Sequence, residues 1–160
     1  MQSDGVAGQV AWVWENFLHG NGVAFMDPYT MPWPVRNLCT GAPQDGDPGL
    51  CATNGLDPQW NQIRSAIGDT ITYAKKINLV NMTPQDSLST SGFCLANPGS
   101  QYLVFSTSDS FTLTTEAGTY TYEWFNPATD AVVQTGTVTV GSSQGFTAPF
   151  SGAAVLWLHQ

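Results

Sequence analysis

Thr119-Tyr120-Thr121-Tyr122-Glu123-Trp124-Phe125, then the breaker Asn126-Pro127-Ala128-Thr129-Asp130, then Ala131-Val132-Val133-Gln134-Thr135, is the passage on which the fold turns. In its first part aromatic residues alternate with Thr and Glu, so Tyr120, Tyr122 and Trp124 share one face of a strand and Thr121 and Glu123 the other. Glu123 is therefore expected at the surface. The passage has neighbours of the same kind: Gly92 to Ala96, Tyr102 to Ser106, Phe111 to Thr115, Thr137 to Val140 and Ala153 to His159 are short β-branched or aromatic runs. Asn97-Pro98-Gly99, Glu116-Ala117-Gly118 and Gly141-Ser142-Ser143 separate them as turns. About seven short strands at this spacing predict an antiparallel β-sandwich, and the chain is mostly β. Tyr102, Tyr120, Tyr122, Trp124, Phe125 and Trp157 either fill the space between the sheets or, on an exposed face, stack on sugar rings; packing is the preferred reading.

Upstream the periodicity changes. Val10, Val13, Trp14, Phe17 and Leu18 form one apolar stripe on a helix over 7–19, ended by Gly20. Val23-Ala24-Phe25-Met26 is wholly apolar and suits a strand buried on both faces. From Tyr29 to Gly55 the text is aperiodic and rich in Pro, Gly and Asp, and long loops of this kind are usually functional. Asp57-Pro58 opens a second helix as cap and first helical residue; Trp60, Ile63, Ile67, Ile71, Ala74 and Ile77 carry it to about Asn78, with Lys75-Lys76 in its last turn. The chain is thus expected to divide near residue 81, with 1–80 a helix-strand-loop-helix segment and 81–160 the sandwich.

The 160 residues are 42% hydrophobic but only 10% charged, so the surface is built mainly from uncharged polar residues and Gly. Twelve acids against four bases give a formal charge of −8. Arg36, Arg64, Lys75 and Lys76 form no stripe that could neutralise phosphates, which excludes nucleic acid and anionic membrane surfaces as partners. No apolar run is long enough to span a bilayer, and the first residues lack the pattern of a signal peptide. Cys39 and Cys51 share one loop-like segment and are a candidate disulfide, closing a loop of about 12 residues and stabilising by about 3 kcal/mol; the other reading is two unpaired thiols. With only His19 and His159 to complete a ligand set, and neither in a ligand-like pattern, no metal site is expected. No cofactor is implied.

A helix, a buried strand, a long loop at its carboxyl end and an amphipathic helix make one β/α unit, whereas a closed (β/α)8 barrel takes about 250 residues. Asp27, Tyr29 and Trp33 follow the apolar strand where barrel enzymes place substrate-lining groups. They would line such a site beside other strands. Equally, Asp27 caps a turn and the two aromatics pack under the loop.

Trp12-Val13-Trp14-Glu15-Asn16-Phe17-Leu18-His19-Gly20 followed by Phe25-Met26-Asp27-Pro28-Tyr29 resembles the last helix-strand step of the apiosidase-like glycoside hydrolase barrels. Ala74-Lys75-Lys76-Ile77-Asn78-Leu79, Met82-Thr83-Pro84, Gly92-Phe93-Cys94-Leu95-Ala96, Glu123-Trp124-Phe125-Asn126-Pro127 and Ala154-Val155-Leu156-Trp157-Leu158 resemble the domain, labelled collagen-binding, that follows that barrel. The segment from Cys39 to Cys51 stands outside the pattern. The resemblance implies a secreted or cell-surface bacterial protein acting on polysaccharide, with catalytic carboxylates on barrel strands upstream of residue 1. Residues 1–80 would then be a (β/α)8 barrel remnant.

A glycosidase needs two carboxyl groups flanking the scissile bond. Asp27 is the one acid abutting the apolar strand; Asp45, Asp47 and Asp57 fall in loop or cap contexts, Glu15 lies in a helix, and Cys94 reads as a core thiol. The chain alone is expected to be inactive. The other function reading is a stand-alone carbohydrate- or matrix-binding sandwich. Trp14, Phe17 and Trp60 belong to faces that a complete barrel would bury, so self-association of the isolated chain is also expected.

Overall fold

The computed structural model describes residues 5–23 and 61–160. Helix α1 spans Gly5–Leu18 and α2 Asn61–Lys76. Eight strands follow: β1 (Thr83–Pro84), β2 (Cys94–Asn97), β3 (Gln101–Ser106), β4 (Ser110–Thr114), β5 (Gly118–Asn126), β6 (Ala131–Val140), β7 (Ser143–Thr147) and β8 (Ala154–His159). The predicted strand at Val23–Met26, the long loop, the disulfide candidates Cys39 and Cys51, and Asp57, Pro58 and Trp60 lie outside the described residues.

The mostly β, antiparallel, sandwich-like fold read from the sequence is present, preceded by helices. Its sheets are unequal: six strands in the order β1-β2-β3-β8-β5-β6, and β4 paired with β7 alone. Two details of the strand reading are corrected. Ala131 to Thr135 and Thr137 to Val140 are one continuous strand, because Gly136 sits opposite Tyr122 within the ladder and does not break it. The strand Ser143–Thr147 was missed: Gln144 and Gly145 dilute its β signal, and cross-strand partners such as Phe111 opposite Phe146 supply what local propensity lacks.

Helix α1 ends in a Schellman motif, in which Asn21 N donates to Asn16 O at 2.9 Å and Gly20 N to Phe17 O at 3.0 Å. That geometry needs a left-handed residue between them, and Gly20, at φ +74°, fills it without a Cβ penalty.

The central strands of the six-stranded sheet are covered on both faces. On one, Tyr102, Val104, Tyr120, Trp124, Leu156 and Leu158 meet Phe111, Leu113 and Phe146 of the small sheet. On the other, Leu103, Phe105, Phe125 and Val155 meet Val13, Trp14, Leu18, Ile63, Ala66 and Tyr73 of the two helices. The result is three layers, with helices outside, the large sheet between and the small sheet beyond. The helix–sheet core crosses the change of sequence character near residue 81. Four of the aromatics considered as sugar platforms, Tyr102, Tyr120, Trp124 and Phe125, are buried in these layers. The hydroxyl of Tyr102 accepts from Gly99 N and Glu116 N, and that of Tyr120 donates to Glu116 O, so each ring is apolar in body and bonded at its tip.

The apolar stripe of α2 also divides. Ile63, Ala66 and Tyr73, with Ile77 just beyond the helix, are buried in the helix–sheet core, Ile67 packs at its margin, and Ile71 and Ala74 lie on the outer side. Trp14, expected on a face left open, is instead fully buried, because its ring lies between Tyr73, Phe105 and Phe125.

Candidate functional site

One concave feature of the described residues is a groove of about 330 Å³ between the end of α1 and the outer side of α2. Phe17 and Gly20 to Val23 form one wall; Ile67, Thr70, Ile71 and Ala74, with Leu79 beyond the helix, form the other. None of these side chains ionises. The hydroxyl of Thr70 is already donated to Ile67 O at 2.9 Å. The groove therefore offers apolar contact area and no acid–base chemistry of its own.

Titratable groups gather instead along the seam where α2 crosses the sheet. Glu123 is the focus. The sequence placed it on the solvent side of β5, opposite the aromatic face; that side is the one the helices cover, and the expectation is corrected accordingly. Glu123 Oε1 accepts from the Tyr73 hydroxyl at 2.6 Å and from Lys76 Nζ at 2.7 Å, and the Glu123 side chain is only 14% exposed. Lys76 Nζ also lies 4.8 Å from the centre of the Tyr73 ring and 5.7 Å from that of Trp157. Trp157 in turn stacks on His159, with ring centres 4.1 Å apart. Burial, reinforced by the hydrogen bond to Glu123, pushes the Tyr73 phenol well above its usual value, so it stays a hydrogen-bond donor. With each group committed to another, this cluster fastens helix to sheet.

Earlier on α2 a second contact reaches the β5–β6 connection. Asp130, left-handed at φ +53°, accepts from Ser65 Oγ at 2.7 Å, and its carboxyl group lies near that of Asp69. Burial first, then the charge and hydrogen bond of Asp130, push Asp69 from its usual 3.8 to about 7. Below about pH 4 the carboxyl is protonated in folded and unfolded chains alike. Between there and about 7 the folded state holds the proton that the unfolded state has lost, so stability falls as pH rises through this window and levels off above it. Asp69→Asn is expected to flatten that part of the profile. Urea midpoints measured across the window check this, and parallel profiles for the two proteins would show the coupling to be absent.

A third polar contact, His19 Nε2 to Asp86 Oδ2 at 3.0 Å, links the end of α1 to the segment between β1 and β2. Both side chains are about two-fifths exposed, and a pair so wet contributes at most about 1 kcal/mol. Cys94 is fully buried, and burial pushes its thiol up to about 12; it is a core residue rather than a nucleophile.

Of the residues singled out from the sequence, Asp27, Tyr29 and Trp33 lie outside the described residues, while Glu15 is half-buried on α1. The seam groups Tyr73, Asp69 and Asp130 were not anticipated. They meet across separations of 50 to 65 residues, and no local pattern encodes such a meeting. Among the described residues no three His, Cys, Asp or Glu side chains converge as a metal site, and no helix is long and apolar enough to cross a membrane.

No family model matches the sequence, and no curated protein matches it either. Among solved structures, a chain named "Glycoside hydrolase" is similar over 71% of this chain, with a TM-score of 0.50 and 12% identity. This chain spans 30% of that protein's length. The likeness is one of fold, to part of a longer protein.

Proposed function

We propose that the chain is the carboxyl-terminal portion of an apiosidase-like glycoside hydrolase, comprising the last β/α unit of the barrel (1–80) and the sandwich that follows it (81–160). In this reading the sandwich braces the barrel's final helices, the catalytic carboxylates belong to upstream strands, and the whole protein is secreted or displayed at a bacterial cell surface to act on polysaccharide. Asp27, Tyr29 and Trp33 would line the substrate cleft beside those strands.

The observation that carries the reading is that α2 is apolar on two sides. One side is buried on the sheet; the other, Ile71 and Ala74 with Ile67 at the margin, lines the groove, and Ile71 remains 50% exposed. A helix apolar on two sides belongs between two layers. Here the sheet supplies one of them, and the rest of a barrel is the proposed second. The fold likeness to part of a longer glycoside hydrolase agrees with this.

The reading frame upstream of Met1 is expected to encode the preceding barrel units. In the full-length protein Ile71→Glu should lower the unfolding midpoint, whereas in the 160-residue chain, where Ile71 faces the open groove, the same change should be nearly silent. A frame that begins at Met1, or equal effects in both contexts, would sink the proposal.

A further inference from the structure

Strand β6 ends the large sheet, and among the described residues nothing pairs with its outer edge. The opposite edge, β1, is two residues long and finishes at Pro84, which cannot donate to a new ladder. The exposed side of β4 in the small sheet is covered, because Ser89 bridges to Leu113 and Thr90 N donates to Thr112 O. Among the described residues β6 has no such protection. It runs for ten residues, Ala131–Val140, without a charged side chain or a proline. Soluble proteins normally blunt a long edge with lysine, proline or a cover, since its free N–H and C=O groups are a template for another strand.

One device is present, and it defines the open stretch. The ladder to β5 runs from Val140 to Gln134 opposite Trp124, then jumps to Val132 opposite Phe125, leaving Val133 as a bulge. A bulge bends the strand and interrupts its edge. The regular edge is therefore Gln134-Thr135-Gly136-Thr137-Val138-Thr139-Val140, centred on Thr137. An antiparallel copy laid against it about a two-fold axis at Thr137 sets Thr137 opposite Thr137, Thr135 opposite Thr139, Gly136 opposite Val138 and Gln134 opposite Val140. Every residue then meets one from the same face of the partner sheet. No like charges oppose one another, and the threonines form a hydroxyl ladder like the existing Thr119–Thr139 contact at 2.9 Å. The bulge fixes where the pairing must stop.

We propose that this edge is an isologous interface, in which two copies of the chain join β6 to β6 into one continuous twelve-stranded sheet. The occupant is a second copy because the open stretch matches itself in length and face and carries no charge that a copy of itself would repel. With −8 on each chain, association strengthens as salt screens the repulsion. The inference is independent of the barrel proposal, which concerns the far side of α2.

Sedimentation velocity of the 160-residue chain over a concentration series is expected to show a monomer–dimer equilibrium that shifts toward dimer with added salt. Thr137→Lys puts two ammonium groups together on the axis and should abolish the dimer, while its thermal midpoint matches that of the wild type at concentrations low enough for both to be monomeric. The double variant T135K/T139E places opposite charges across the same axis twice and should retain it. Ile71→Glu, in the groove, should leave it unchanged. A wild type that is monomeric throughout, a dimer that survives Thr137→Lys, or one lost in Ile71→Glu would each overturn the interface. Loss in T135K/T139E would overturn the axis at Thr137.

Discussion

Replacing Trp14 by alanine is expected to destabilise the fold by about 3–5 kcal/mol, the range for removing a large aromatic from a closed core. The ring is 0% exposed and touches all three parts of the helix–sheet layer at once: Phe17 within α1, Tyr73 from α2, and Phe105 and Phe125 from the sheet. Each ring centre lies within 5.5 to 6.4 Å of it. Its deletion leaves a void at the meeting point of elements that cannot collapse inward independently. Trp14 Nε1 is buried without a hydrogen-bond partner. Trp14→Phe therefore removes an unsatisfied N–H along with some volume, and should cost well under half as much as alanine. Urea unfolding of the two variants checks both values; equal losses would mean that ring volume at this point is not what matters.

Glu123→Ala is the second large effect, expected at about 2–3 kcal/mol because it removes hydrogen bonds to a charged acceptor. Tyr73, 1% exposed, would keep a buried hydroxyl with no acceptor, and Lys76 would lose its counter-charge. The diagnostic is the double variant. In a Tyr73→Phe background the orphaned hydroxyl is already gone, so Glu123→Ala should cost about 1–2 kcal/mol less than it does alone. Strict additivity would show that the 2.6 Å contact contributes no coupling.

How much of this could be read beforehand differs from element to element. Alternation in Tyr120 to Trp124 and the breaker at Asn126 to Asp130 were enough for β5 and its turn, since a period of two and a proline act within a few residues. The seam was not legible. Glu123 in an alternating strand reads as solvent-facing because half-buried antiparallel sheets are the usual case, yet here a helix layer covers that face. The fate of α2 was only half legible: the spacing of Ile63, Ile67 and Ile71 announces a helix, but Ile63 and Tyr73 go to the sheet and Ile71 to the groove.

The sequence by itself determined both helices, most of the strands and the mostly β character of the described chain, because periodicity, capping glycine and turn residues act through the local backbone. The tertiary structure alone decided which faces are inside: that the central strands of the large sheet are covered on both faces, that Glu123, Tyr73 and Lys76 meet, that Asp69 lies near Asp130, and that among the described residues β6 is left at an open edge. These follow from strand order and layer stacking, where residues far apart in the chain meet and burial changes what a carboxylate, a phenol or an edge amide can do.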